Sequence, residues 1–143
     1  MRISDVLAAK PMKDVLTIQP EATVRQLLGV MAEHNVGAMV VSADGSRLDG
    51  IVSERDVVRQ LHLDPDVLSA PVSSLMTTAV ATCTSDSKVD DLMGVMTERR
   101  VRHVPVVDEG VLVGIVSIGD VVKHKIDALQ FERDQLDNYV HQT

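Results

Sequence analysis

Hydrophobic and polar positions follow the same pattern twice along this chain. In each half, a short apolar segment leads into a stretch with apolar residues at i, i+3, i+4 and i+7, which predicts a helix with one buried face. Two apolar runs separated by Asp-Gly or Glu-Gly follow, and this arrangement is typical of a β-hairpin. A second helix is then predicted to begin at Ser53 or Ser117. Each half is therefore predicted to be a β-α-β-β-α unit of about 50 residues.

The two halves are an internal duplication. Residues 15–41 match residues 80–106 at 10 of 27 positions, and residues 50–58 match residues 114–122 at 7 of 9 positions. One such unit could bury little apolar surface alone, so we expect the two repeats to pack around a pseudo-two-fold axis. The predicted fold class is α/β, with two packed β-α-β-β-α repeats and a C-terminal helix.

Local signals predict where the helices begin and how the chain divides. Thr23 with Gln26 fits a capping box, and Ser87 with Asp90 is a weaker candidate for one. The segment Ile3–Leu7 resembles the segment just before the second repeat and is predicted to form a lead-in helical turn. The predicted segments are 1–62 with the first repeat, 63–123 with the linker and second repeat, and 124–143 as a helical tail.

The tail carries a heptad-like apolar seam. Two interpretations remain open: the helix folds back on its own domain, or it pairs with a second chain. The seam consists of Val122, Ile126, Leu129, Leu136 and Val140.

Composition indicates a folded, acidic protein. Hydrophobic residues make up 45% and charged residues 24% of the 143 positions, and the formal net charge is −7. A chain with 14 Lys+Arg against 21 Asp+Glu is poorly suited to bind a phosphate backbone. The single Phe, single Tyr and absent Trp also argue against stacking on single-stranded nucleic acid. We therefore expect no nucleic-acid partner.

Several other classes of site and location are disfavoured. The single cysteine, Cys83, cannot form an internal disulfide, and we interpret it as a buried inert thiol rather than a redox sensor. The histidines lack metal-ligand spacing and no catalytic constellation stands out, so neither a metal site nor an enzyme is expected. The start of the chain lacks a secretory h-region and no apolar run could span a membrane, so a cytoplasmic location is expected.

The motif Gly-x-x-Ser-x-x-Asp recurs at both predicted strand-to-helix junctions, as GIVSERD and GIVSIGD. Capping alone can explain it: the Ser is then the N-cap and the Asp, three residues later, completes a capping box. A helix N-terminus also suits a phosphate, and a carboxylate can accept the two hydroxyls of a ribose. The glycine would allow close backbone approach. Both interpretations remain open.

The duplicated pattern, with RHVPVVD and GIVSIGD, resembles a tandem pair of CBS domains, also called a Bateman module. The resemblance covers Val15 to Val122. It implies two clefts that bind AMP, ADP or ATP, with NAD(H) or S-adenosylmethionine as alternatives, and no required cofactor. It further implies a regulatory sensor that forms a homodimer and acts on a protein partner. A structural assembly protein with unused clefts remains an alternative.

The resemblance also implies roles for individual residues. Asp56 and Asp120 match the ribose-binding acid, and Ser53 and Ser117 match the hydroxyl beside it. Pro105 matches the family's strand proline, whereas the first repeat has Val40 there. The remaining nucleotide-binding candidates are Thr17 and Thr82 near the adenine, and Gly37, Ala38, Met39, Arg102, His103 and Val104 along the base and phosphates.

The two clefts are not expected to be equal. Arg55 lies inside the first motif, where it could pair with a phosphate, and Gly119 takes its place in the second. The second repeat instead has Arg102 and His103 upstream of its motif. Arg99 and Arg100 could equally form a solvated basic turn.

Overall fold

The structure, a computed structural model, describes residues 1–11 and 15–141. It confirms the predicted α/β fold with two repeats and a C-terminal helix. The helices and strands are α1 (Ile3–Ala9), β1 (Thr17–Ile18), α2 (Val24–His34), β2 (Ala38–Val41), β3 (Gly50–Ser53), α3 (Glu54–Leu63), α4 (Val89–Arg99), β4 (His103–Asp108), β5 (Val111–Ser117) and α5 (Ile118–Val140). Two short 3₁₀ turns, Pro65–Ser69 and Val72–Ser74, connect α3 to the second repeat.

The two repeats form separate small sheets. In the first, β2 pairs parallel with β1 and antiparallel with β3. In the second, β4 and β5 form an antiparallel hairpin whose turn residues Glu109 and Gly110 have φ of 50° and 80°. Two successive positive φ values are what a type I′ turn needs, so the predicted hairpin is confirmed.

The first strand of the second repeat is shorter than predicted. The prediction placed Thr82 in a strand, but only a single parallel bridge forms there, between Cys83 and Val106. Pro105 explains the difference, because it stands where Val40 pairs with Thr17 in the first repeat and proline has no N–H to donate. The prediction for Thr82 was therefore wrong.

The helix caps confirm one predicted capping box and correct another. The Gln26 N–H donates to Thr23 Oγ1 at 3.1 Å, and the Thr23 N–H donates to Gln26 Oε1 at 2.9 Å. In the second repeat the N-cap is Lys88, without a side-chain cap, so the Ser87–Asp90 box was wrong. The Ser87 hydroxyl accepts from the Thr84 N–H instead, since a turn precedes the helix there.

The segments that precede the repeats cross over between them. Ile3 of α1 packs in the core of the second repeat with Val89 and Val116, whereas Val72 of the linker packs in the core of the first. The backbone follows the same exchange: the Ile3 N–H donates to Ser87 O at 2.9 Å, and the Val72 N–H donates to Ala22 O at 2.8 Å. Each repeat therefore completes its core with a segment that precedes the other, and the predicted segment boundaries stay a prediction.

The long helices do not form a membrane span. Within residues 1–11 and 15–141, no helix is both long and apolar enough to cross a bilayer.

Candidate functional site

The two strand-to-helix junctions place Ser and Asp in equivalent capping boxes. The Ser53 N–H donates to Asp56 Oδ2 at 2.8 Å, and the Asp56 N–H donates to Ser53 Oγ at 3.4 Å. At the second junction the corresponding distances for Ser117 and Asp120 are 2.9 Å and 3.1 Å. The predicted N-caps of α3 and α5 are therefore present in both repeats.

These hydrogen bonds use only part of each carboxylate. The Ser53 N–H and hydroxyl both donate to Oδ2 of Asp56, the hydroxyl at 3.1 Å. Among the described residues, this arrangement leaves Oδ1 available to a donor from a ligand. Capping and ligand binding can then share one aspartate, because each uses a different oxygen.

The first motif opens into a cleft of about 280 Å³ between the repeats, which we call the first cleft. This volume lies just below the range of about 300–1,000 Å³ that is usual for small-molecule pockets. Three arginines, Arg55, Arg59 and Arg100, line it together with Ser53 and Asp56. Thr77, Ala79, Val80 and Ala81, which precede α4, also line it. One carboxylate thus shares a cavity with three cationic side chains.

The second motif opens into an equivalent cleft of about 270 Å³, which we call the second cleft. Ser117 and Asp120 line it, but Gly119 replaces Arg55 and Asn35 replaces Arg100 by the alignment of the repeats. The second cleft therefore lacks two of the cations that its counterpart holds.

A lysine from the segment after α1 reaches into the second cleft. Lys10 Nζ lies 2.9 Å from Asp120 Oδ2 and donates to the Ile115 carbonyl at 2.8 Å. The two side chains are only 23% and 25% exposed. Burial alone would raise the pKa of Asp120, but the Ser117 N–H and the Lys10 ammonium outweigh it and hold that pKa below its ordinary value.

His103 lies between the two clefts and lines both of them. A smaller cavity that connects with the first motif also includes Arg102, Gly37 and Glu54. Burial lowers the pKa of His103, and although Asp120 opposes this, Lys10 and Arg102 add to it. His103 is therefore neutral at pH 7 in the absence of an added anion.

The structure brings most of the predicted binding residues together. Those that line the clefts are Ala38, Ser53, Arg55, Asp56, His103, Ser117, Asp120, Gly37 and Arg102. The other six line neither the two clefts nor the smaller cavity. Met39, Val104 and Pro105 are buried, and Thr17, Thr82 and Gly119 lie outside the cleft walls. Their binding roles stay predictions.

The glycine of the motif has a packing reason that the sequence prediction did not include. A Cβ atom on Gly50 would lie 2.7 Å from Met76 Sδ and 2.9 Å from the Thr77 carbonyl oxygen. A Cβ atom on Gly114 would lie 2.7 Å from Cδ2 of Leu7. The glycine recurs because each motif strand lies against the segment that precedes a repeat.

Cys83 is not placed for redox chemistry. Its thiol is partly buried and lies 3.9 Å from the Pro105 carbonyl oxygen. Burial, with a smaller effect of the Asp108 charge, raises the pKa of the thiol to about 11. The thiolate that oxidation requires is thus disfavoured, in agreement with the inert-thiol interpretation. The described residues also contain no group of three or more His, Cys, Asp or Glu side chains that could hold a metal ion.

Several cleft residues were missed by the sequence interpretation. Arg59 lies one helical turn after Arg55 and could have been found from that spacing. Arg100, for which a solvated basic turn was one of two open interpretations, lines the first cleft. Lys10 had no signal beyond its place in an insertion without a counterpart in the second repeat.

Comparisons with known proteins agree with this architecture. The sequence profile of the CBS domain matches residues 3–63 and 72–127. The chain is similar to the CBS domain-containing protein CBSX3, mitochondrial, of Arabidopsis thaliana, with 35% identity over 96% of this chain and 71% of that protein. It superposes on the CBS-domain containing protein ATU1752 of Agrobacterium tumefaciens with a TM-score of 0.82 and 41% identity, covering 87% and 99% of the two chains.

A third relative was solved with a nucleotide. The CBS domain protein PAE2072 of Pyrobaculum aerophilum, complexed with AMP, matches with a TM-score of 0.74 and 28% identity. The match covers 84% of this chain and 89% of that one.

Proposed function

The chain belongs to the CBS-domain family, and from this membership we propose that it is a regulatory module whose clefts bind adenosine nucleotides. The observation that carries the proposal is the first cleft, where the Asp56 carboxylate lies in one cavity with Arg55, Arg59 and Arg100. A ribose diol suits the carboxylate, and a phosphate chain suits the arginines. The AMP complex of PAE2072 supports the same ligand class.

AMP, ADP and ATP are the ligands that the charges favour. Three arginines in a protein of net charge −7 form a local positive region, which suits an anionic ligand better than a neutral or cationic one. NAD(H) also carries phosphates and stays an alternative, whereas S-adenosylmethionine would bring a positive charge to these arginines. The proposal is binding and regulation, without catalysis by this chain.

Regulation would follow from the position of the clefts between the two repeats. A nucleotide that contacts Asp56 in one repeat and Arg100 in the other favours the arrangement in which both contacts form. His103 lines both clefts, so occupation of one can change the affinity of the other. A protein partner would respond to that change. We expect the protein and this partner to be cytoplasmic.

Calorimetric titration of the whole chain tests this function, with AMP, ATP, NADH and S-adenosylmethionine as probes. We expect AMP or ATP to bind, and Asp56→Asn to weaken binding about tenfold, because a hydrogen bond to a charged group is lost. Asp91→Asn, an exposed aspartate in the first turn of α4, is the matched control and should bind like the native protein. Absence of heat with every adenosine compound at millimolar concentration would contradict the proposal.

A structural role in assembly is the second candidate, and the C-terminal helix favours it. Beyond its first turns, α5 exposes the predicted apolar seam, with Leu129 61% and Leu136 65% exposed. Burial of that seam against a second copy would form a homodimer. The two functions are compatible, because the seam lies outside the clefts.

A further inference from the structure

In the second cleft, a side chain donates to a carbonyl whose equivalent in the first cleft accepts from a backbone N–H. In the first repeat, the Ile51 carbonyl accepts from the Thr77 N–H at 2.8 Å, and the Ile51 N–H donates to the Thr77 carbonyl at 3.0 Å. Ile115 is the equivalent residue in the second repeat, and its carbonyl accepts from the Lys10 ammonium. In the second repeat, a lysine side chain thus contacts this carbonyl.

The connections that precede the two repeats differ in length and in charge. Three residues, Thr77 to Ala79, separate the segment VSSLM from the second repeat, whereas seven residues, 8–14, separate ISDVL from the first. The longer connection carries Lys10 three residues after Leu7, whereas Ala79 stands three residues after Met76 in the shorter one. Lys10 thus forms a salt bridge with Asp120, whereas no salt bridge to Asp56 forms among the described residues.

This cation changes what the second cleft can bind. The Lys10 ammonium already lies on Asp120, the carboxylate that a ribose would use. It shares Oδ2 of Asp120 with the Ser117 N–H, which among the described residues leaves Oδ1 available to a ribose, so a neutral nucleoside gains nothing from the ammonium. A ligand with a phosphate beside its ribose would pair with the ammonium as well, and the four rotatable bonds of lysine let Nζ follow that phosphate.

We propose that Lys10 is the specificity-determining residue of the second cleft and selects adenosine ligands with an anionic 5′ substituent over neutral ones. This inference rests on the proposed nucleotide-binding function. Gly119 and Asn35 strengthen it, because they leave Lys10 as the main cation that a phosphate would meet beside Ser117 and Asp120. The first cleft, in contrast, obtains its positive charge from three arginines.

The test compares AMP with adenosine by calorimetric titration of the full chain. Asp56→Asn is present in every protein, so that the second cleft dominates the signal. With Lys10 intact, we expect AMP to bind about tenfold more tightly than adenosine, the ratio for one charge-assisted contact. Lys10→Met should weaken AMP binding and leave adenosine binding nearly unchanged, so that the two affinities become similar.

Two further variants keep the result interpretable. Lys10→Gln can still donate to the Ile115 carbonyl without a charge, and it should lose selectivity like Lys10→Met even if that variant folds poorly. Lys123→Met removes a cation that lines a neighbouring cavity with Lys10 and Asp120 but not the second cleft, and it should leave the selectivity in place. Equal loss in Lys123→Met would show a general charge effect and overturn the specific role of Lys10.

The outcomes also separate this inference from the proposed function. An AMP preference that is unchanged in Lys10→Met and Lys10→Gln overturns the inference while nucleotide binding stands. Binding of neither AMP nor adenosine to the protein without substitutions overturns both.

Discussion

Arg100 has the left-handed backbone conformation that Asn35 has at the equivalent position of the first repeat, with φ of 54° and 53°. Both residues end the first long helix of their repeat. Asparagine adopts this conformation readily, whereas arginine does so at a cost in folding free energy. Arginine at a strained position that also lines the first cleft indicates a role in ligand binding.

We predict that Arg100→Asn stabilises the protein and weakens nucleotide binding. The free energy of unfolding should rise by about 0.5 kcal/mol, because the strain at a left-handed residue is relieved. The affinity for ATP should fall severalfold, since a phosphate contact is lost. Urea unfolding measures the first effect and calorimetric titration the second.

Arg99→Asn is the matched control, because Arg99 lies inside α4 and lines none of the described clefts. It should neither raise the free energy of unfolding nor weaken the binding of ATP. An Arg100→Asn protein that binds ATP as tightly as the native one would show that Arg100 is only a helix-end residue.

We predict that His103 makes the fold less stable below about pH 6.5. Its pKa in the folded protein lies below the ordinary value of 6.5, so the unfolded chain binds more protons in that window. Stability therefore rises with pH through the window and falls as the pH is lowered through it. Thermal unfolding between pH 5 and 8 measures this dependence, and His103→Gln should reduce it.

A bound phosphate should reverse part of this effect. An anion beside His103 favours the imidazolium, so AMP is expected to raise its pKa and to be bound with proton uptake near pH 6.5. Titrations in two buffers with different ionisation enthalpies report the uptake. The phosphate of AMP itself titrates near pH 6. Only the part of the uptake that disappears in His103→Gln belongs to the histidine.

We predict that Gly50→Ala destabilises the protein more than Gly114→Ala. The new methyl group at residue 50 would meet the Thr77 carbonyl, whose position is fixed by the bridge to Ile51. At residue 114 it would meet the end of the Leu7 side chain, which can change its rotamer. Overpacking against backbone should cost about 2 kcal/mol, near the middle of the usual range.

The two glycine variants are each other's control, since both add one methyl group at equivalent positions. Urea denaturation followed by circular dichroism gives the two free energies of unfolding. Equal losses would show that the backbone at Thr77 yields as easily as the Leu7 side chain.

We predict that the exposed seam of α5 joins two copies of the chain. The double variant Leu129→Glu and Leu136→Glu should convert a dimer to a monomer, because it places four carboxylates in the paired seam. Light scattering coupled to size-exclusion chromatography measures the mass. Gln130→Glu with Gln135→Glu adds the same charge to the same helix at other positions and should leave the mass unchanged. A dimer that persists in the leucine variant would show that the interface lies elsewhere in the protein.

The features predicted correctly from the sequence are those that short segments encode. The caps at Thr23, Ser53 and Ser117 depend on residues three positions apart, and the hairpin turn depends on Glu109 and Gly110. The alignment of the repeats could also have predicted the N-cap of α4, because Lys88 is the residue equivalent to Thr23.

The features that were missed depend on distant parts of the chain. Lys10 meets Asp120 across 110 positions of sequence, and no local pattern indicates where a flexible lysine after an insertion will lie. The missing strand at Thr82 depends on Pro105, a residue whose effect could have been derived from its absent N–H. Long-range packing therefore decided the chemistry of the second cleft.

The crossover of the segments before the repeats has a consequence for how the protein reaches this structure. Ile3 packs with core partners that follow it by 86 residues (Val89) and 113 residues (Val116) along the chain. The contacts that complete the second repeat are thus of high sequence separation, which slows folding. Neither repeat has a complete core before the other exists, so the two should unfold in one cooperative transition.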